Sequence, residues 1–116
     1  MTIQVDANDK SVIEDIVQVT IDNLDTVMEN TLVVLDFYAD WCGPCKQFMP
    51  TFISFASDKY AGATYGKINA DEQSEIVNAL GVRALPTILV FKNGTEVARK
   101  VGLMSKTEFT ALIDNA

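Results

Sequence analysis

The chain reads as an α/β domain built on a mixed sheet with a helical layer on each face. Three observations predict it. Leu32 to Tyr38 is an apolar, β-branched-rich run, the pattern of a strand covered on both faces. From Gly43 onward apolar residues recur at helical spacing: Phe48, Phe52 and Phe55 beside Met49, Ile53, Ala56 and Tyr60. Near the end, Asn93-Gly94 separates two strand-like runs, the strongest short hairpin signal, so one strand pair is antiparallel.

In chain order, Ile16 to Thr20 reads as a first strand and Leu24 to Glu29 as a short helix. The strand from Leu32 to Tyr38 leads into the long helix, where Pro50 removes one backbone hydrogen bond and is expected to bend the axis. Thr64 to Asn69 is the third strand. Ser74 to Leu80 is a helix ended by Gly81, a residue free to take the left-handed cap conformation. Thr87 to Lys92 and Glu96 to Val101 flank the hairpin turn. Ser105 and Glu108 then have the spacing of a capping box at the head of a last helix, Lys106 to Asn115. No internal repeats or low-complexity segments interrupt this order.

With 116 residues, 48% of them apolar and 22% charged, the chain has the size and composition of one domain. A domain of this size buries roughly two-thirds of its unfolded surface. Nine basic against sixteen acidic residues leave a net charge of −7, which opposes non-specific binding to nucleic acid or to anionic membranes. Met1 to Lys10 has no basic segment followed by an apolar stretch, and no run approaches the roughly 20 apolar residues of a membrane span. The expectation is a cytoplasmic protein. In that compartment two cysteines point to catalysis or metal binding rather than to a structural staple.

Those two cysteines lie in Trp41-Cys42-Gly43-Pro44-Cys45, where a strand gives way to a helix. A dithiol at this spacing inside a βαβ pattern is a redox motif. The first-turn N–H groups of a helix have no intrahelical partners and the helix dipole is positive there, so a thiolate is stabilised. Cys42 is therefore expected to have a lowered pKa and to act as the nucleophile, with Cys45, one turn in, as the resolving thiol. Pro44 is tolerated in the first turn and stiffens the link, while Gly43 leaves the approach to the sulfur open. Lys46 either favours the Cys42 thiolate or is an ordinary solvated lysine. No histidine is present, and two thiolates supply half of a tetrahedral zinc site, so no metal is expected.

Asp36 interrupts the most apolar strand. Desolvation should raise its pKa toward neutrality, where it could exchange protons with Cys45; a carboxylate hydrogen-bonded at a strand end is the alternative, and the strand pattern does not separate the two.

The segment Asp36-Phe37-Tyr38-Ala39-Asp40-Trp41-Cys42-Gly43-Pro44-Cys45-Lys46 resembles the active-site segment of the thioredoxin family. So do Lys67-Ile68-Asn69-Ala70-Asp71, Val82-Arg83-Ala84-Leu85-Pro86-Thr87, Phe91-Lys92-Asn93-Gly94 and Val101-Gly102-Leu103-Met104-Ser105-Lys106, in order and approximate spacing. The resemblance runs from about Ile16 to the end. It implies the thioredoxin fold, a central mixed five-stranded sheet flanked by four helices, with the site at the C-terminal end of the central strand. It assigns proton transfer to Asp36 with Lys67 as its charge partner. It implies a cis Pro86, with the backbone of Leu85 hydrogen-bonding an extended substrate, and a modest apolar groove of Trp41, Gly43, Pro44, Ala84, Leu85, Gly102 and Leu103 around an exposed Cys42 sulfur. Read alone, Pro86 is an ordinary strand-entry proline, Trp41 a core residue, Gly102 a strand-end turn and Lys67 a solvated lysine. Tyr38 departs from the pattern, standing where Trp is frequent in the family.

The function implied is a protein-disulfide reductase, an electron carrier in cell redox homeostasis. It works through a reversible Cys42/Cys45 dithiol and a mixed disulfide with its targets. It needs no bound cofactor and is recharged by a flavin-dependent thioredoxin reductase that consumes NADPH. Disulfide-containing proteins are the expected partners, and nothing calls for more than a monomer. The alternatives are a binding or scaffold subunit of a larger assembly, or a disulfide isomerase or oxidase, although Gly43-Pro44 resembles the reducing class. Domain organisation is expected to be residues 1–14 as an N-terminal extension, either a flexible tail or an added edge strand, and residues 15–116 as the domain proper.

Overall fold

The computed structural model describes residues 15–116, so the expectation for the N-terminal extension lies outside the described residues. Among them a five-stranded sheet takes the order β1-β3-β2-β4-β5, formed by β1 (Val17–Gln18), β2 (Leu32–Tyr38), β3 (Thr64–Asn69), β4 (Thr87–Lys92) and β5 (Thr95–Val101). β1 and β2 both run parallel to β3, whereas β4 is antiparallel to β2 and to β5. The mixed sheet is thus parallel on one side of β2 and antiparallel on the other.

Four helices cover it: α1 (Leu24–Val27), α2 (Gly43–Ser57), α3 (Ser74–Leu80) and α4 (Lys106–Asp114). Alternation along the strands divides the core into two. On one face Val34, Tyr65 and Ile88 pack against Phe48, Phe52, Phe55 and Ala56 of α2 and Phe109 and Ile113 of α4. Phe109 is the centre of this half, edge-on to Phe48 at 5.1 Å and 4.6 Å from Phe55 between ring centroids. On the other face Val33, Leu35, Phe37, Ile68 and Leu89 pack against Val27 of α1 and Ile76 of α3.

The bounds of β2, β3, α3 and β4 are those the sequence predicts. β1 is shorter than the expected Ile16 to Thr20: Ile16 and Val19 are buried, and the Val19 N–H still bonds the Lys67 carbonyl at 2.9 Å, but regular pairing is limited to Val17 and Gln18. α1 stops at Val27 rather than Glu29, because Asn30 caps its end by donating its side-chain amide to the Val27 carbonyl at 2.9 Å. α2 passes through Pro50 and stops at Ser57; Tyr60 belongs to a separate 3-10 turn, Tyr60–Gly62, set off by Lys59 in the left-handed conformation. At the hairpin, Asn93 and Gly94 have φ of 52° and 82°, the pair of positive values that a two-residue turn between twisted strands requires. β5 starts one residue early, and α4 ends at Asp114, one residue short. The capping box is formed: Ser105 N–H donates to Glu108 Oε1 at 2.8 Å and Glu108 N–H to Ser105 Oγ at 3.1 Å.

Candidate active site

β2 delivers the chain to the C-terminal edge of the sheet, and Ala39 to Trp41 turn it into α2. Cys42 is the N-cap of α2: its backbone is extended, its N–H bonds the Ala39 carbonyl at 3.1 Å, and Pro44 occupies the first turn. Cys42 and Cys45 are joined in a disulfide across that turn, with their Cα atoms 5.3 Å apart. The Cys45 N–H points back and donates to Cys42 Sγ at 3.2 Å. One of the free amides at the helix end is therefore aimed at the first sulfur, an arrangement that favours negative charge there.

The exposed Cys42 expected from the sequence is not what the fold builds. Cys42 keeps only 4% of its surface and Cys45 2%, because both are wedged against Ala39, Tyr38 and Leu85. Gly43, Pro44 and Lys46 are exposed around them.

Asp36 lies on β2 on the same face as Val34, the face covered by α2. It is fully buried, and neither carboxylate oxygen has a hydrogen-bond partner. Burial pushes its pKa up to about 7, against the opposing pull of the Lys67 charge. Lys67 is in register with Asp36 on β3 but makes no direct ion pair with it. Its ammonium instead lies 5.3 Å from the centroid of the Tyr38 ring. Lys67 therefore acts on the Asp36 carboxyl through space only.

Across from the cystine, the Leu85–Pro86 peptide is cis. Thr87 Oγ1 donates to the Ala84 carbonyl at 2.5 Å, closing the loop around that bond, and the Gly102 N–H donates to the Pro86 carbonyl at 2.8 Å. Gly102 has φ +95°, a value that side chains rarely tolerate. Leu103 beside it is largely exposed, as is Trp41, which keeps 69% of its surface. The core reading of Trp41 therefore falls away.

A shallow pocket of about 250 Å³ joins Trp41, Ala84 and Leu85 to Ala70, Val77, Val82 and Arg83. The last four extend the expected groove toward α3. Sequence reasoning missed them because their approach to Trp41 depends on how α3 returns to the sheet. Asp71, which accepts the Trp41 Nε1–H at 2.8 Å, was also missed, although it closes one of the segments that carry the resemblance. No group of three or more potential metal ligands occurs among the described residues.

The thioredoxin family model matches residues 15–115. The chain belongs to the thioredoxin family. It is 42% identical over 93 residues to the thioredoxin of Chlamydia pneumoniae, covering 80% of this chain and 90% of that one. It is 43% identical over 83 residues to the thioredoxin of Mycoplasma genitalium, covering 72% and 80%. Among solved structures, a mutant thioredoxin from Halobacterium salinarum superposes with a TM-score of 0.76 at 36% identity, covering 87% of this chain and 90% of that one. The cystine at the head of α2 thus belongs to a thioredoxin-type protein-disulfide reductase, a thiol–disulfide oxidoreductase. Thioredoxins work through the cysteine pair itself and use no bound cofactor.

Proposed function

We propose that the protein is a general cytoplasmic electron carrier in which the Cys42 thiolate attacks a target disulfide and forms a mixed disulfide, releasing the first target thiolate. Cys45 then attacks Cys42 Sγ, freeing the second target thiolate and closing the cystine. Two electrons pass to the target, and two protons follow to its thiols. The single observation that carries this reading is the Cys45 N–H aimed at Cys42 Sγ at the head of α2. It stabilises charge on the sulfur that must act as the attacking thiolate.

Asp36 takes the proton of Cys45 as that thiol becomes the nucleophile. A carboxyl titrating near neutrality is matched to this task. Lys67 tempers its proton affinity through space. An extended target lies along Leu85 and cis-Pro86, bonding the backbone of Leu85 by strand addition, while Trp41, Ala84, Gly102 and Leu103 flank it. Backbone recognition of this kind accepts many sequences.

The oxidised monomer is returned to the dithiol by an NADPH-consuming thioredoxin reductase. The cytoplasm suits this cycle, because thiols are kept reduced there.

The experiment is a redox titration paired with trapping. The reading requires a Cys42/Cys45 potential near the roughly −270 mV known for thioredoxin, and a stable one-to-one mixed disulfide when Cys45→Ser meets a disulfide-containing protein. A potential near −180 to −120 mV, the range of isomerases and oxidants, would replace it with that alternative. Retention of the cellular role by Cys42→Ser would leave only the scaffold.

A further inference from the structure

A polar cluster on the sheet stands outside the cystine and the groove. Gln18, Lys67 and Asp36 form one row across β1, β3 and β2, since Gln18 registers with Lys67 and Lys67 with Asp36. Their side chains leave the sheet on the same face, which Tyr38, two residues beyond Asp36, also shares. Gln18 and Tyr38 are separated by a whole strand, roughly 10 Å of sheet at the usual spacing. Their side chains nevertheless meet above β3. The Gln18 amide donates to the Tyr38 hydroxyl at 3.2 Å, and that hydroxyl lies 3.4 Å from Gln18 Oε1. The same amide reaches the Lys67 carbonyl at 3.4 Å. On the same ring lies the Lys67 ammonium, within the range of a cation–π contact.

We propose that the Gln18–Tyr38 pair is a clasp that holds the Lys67 ammonium on the Tyr38 ring at a set distance from Asp36. Both are thereby positioning residues for proton exchange at that carboxyl. The inference rests on the reading of Asp36 as the group that takes the Cys45 proton.

A released ammonium has two destinations, bulk water or the unpaired carboxyl. Entry beside Asp36 strips the ammonium of its hydration in a fully buried site, whereas the half-buried lysine reaches water by extending its stem. Release therefore moves the charge away from Asp36. Among charged groups only Lys67, from β3, acts on Asp36; β4 sets the apolar Ile88 opposite it, and Asp40 and Glu72 act on Tyr38. Loosening Lys67 therefore strengthens the proton affinity of the carboxyl.

The test follows the Asp36 carboxyl carbon by NMR through a pH titration of the full oxidised chain, where no thiol titrates alongside it. The titration is made on the parent, on Gln18→Leu, Tyr38→Phe and Lys67→Met, and on the two double variants containing Lys67→Met. Gln18 is exposed, and phenylalanine keeps the Tyr38 ring, so folding is not at stake. Lys67→Met should raise the midpoint by about one pH unit and each clasp variant by about half of one, with no further rise in the doubles. An unchanged or lowered midpoint in the clasp variants overturns the proposal, as does an equal rise when Lys67 is already methionine. The underlying reading is tested separately by Asp36→Asn. An unaltered pH profile of disulfide reduction there removes the proton-exchange role while leaving the clasp's effect on the titration to stand or fall on its own.

Discussion

The Trp41 indole N–H donates to the Asp71 carboxylate at 2.8 Å, which fixes an aromatic ring that otherwise keeps 69% of its surface in solvent. A ring held in place loses less entropy when a target covers it. Asp71→Ala should free the ring, lowering the fluorescence anisotropy of Trp41, the only tryptophan in the chain, and raising KM for protein disulfides more than it lowers kcat. Because both partners are exposed, stability should change by less than about 1 kcal/mol. Unchanged anisotropy would show that packing, not the carboxylate, holds the ring.

Asp36 makes the stability of the fold depend on pH in an unusual sense. Its pKa stands at about 7, above the ordinary 3.8, so the folded protein binds this proton more tightly than the unfolded chain. The stability it contributes is fully present below about pH 4 and is lost as the pH rises through about 7. Asp36→Ala should therefore stabilise the protein above neutrality by up to about 4 kcal/mol, with the gain shrinking toward pH 4. Urea unfolding at pH 4.5, 6 and 8 reads this directly; a gain independent of pH would rule out a titrating carboxyl as its source.

Gly66 sits in β3 with no room above it. A Cβ there would lie 2.7 Å from Val19 Cγ2 and 3.1 Å from Leu35 Cδ2, both inside the sheet face covered by α1 and α3. Gly66→Ala should cost about 1–3 kcal/mol through overpacking, while reductase activity per folded molecule stays near that of the parent. A neutral result in denaturant melts would mean that β1 moves aside freely.

Arg99 on the edge strand β5 reaches across to the end of α3. Its Nη2 donates to the Leu80 carbonyl at 2.6 Å and its Nη1 to the Gly81 carbonyl at 3.2 Å, while Glu96 takes two further bonds at 2.8 and 2.9 Å. The Arg99 guanidinium holds the Glu96 carboxyl below its usual range. Arg99→Ala should destabilise by about 1–2 kcal/mol, and Arg99→Lys should recover little, since an ammonium cannot span both carbonyls. Amide exchange should quicken first in the last turn of α3. Protection that fades evenly across the domain would contradict this local role.

The sequence was most informative where burial dictates pattern. β2 and β4 are apolar at nearly every position because helices cover both faces, while Gly81 marks the end of α3, Asn93-Gly94 the turn from β4 to β5, and Ser105/Glu108 the head of α4, each through local geometry that few other residues satisfy. α1 and β1 end short of their predicted bounds: one side-chain bond from Asn30 closes α1 and leaves no periodic trace, and past Gln18 β1 keeps a single bond, from the Val19 N–H to the Lys67 carbonyl, in place of regular pairing. The cysteine pair and the buried Asp36 are legible in the sequence, the one from its spacing and the other from its place in an apolar strand, but the burial of Cys42 against Tyr38 and Leu85 is not. The Trp41–Asp71 and Gln18–Tyr38 bonds join polar residues 30 and 20 positions apart, and solvent-exposed pairs of that kind carry no signal in hydropathy.

Only three positions separate the two cysteines. A loop that short restrains the unfolded chain little, worth about 2 kcal/mol on entropic grounds, under half of what a crosslink spanning ~100 residues supplies. The fold is held instead by the aromatic half-core around Phe109 and by the β-branched half-core beneath β2. Opening the bond therefore leaves the frame standing, so that the change between cystine and dithiol is confined to a single turn at the head of α2.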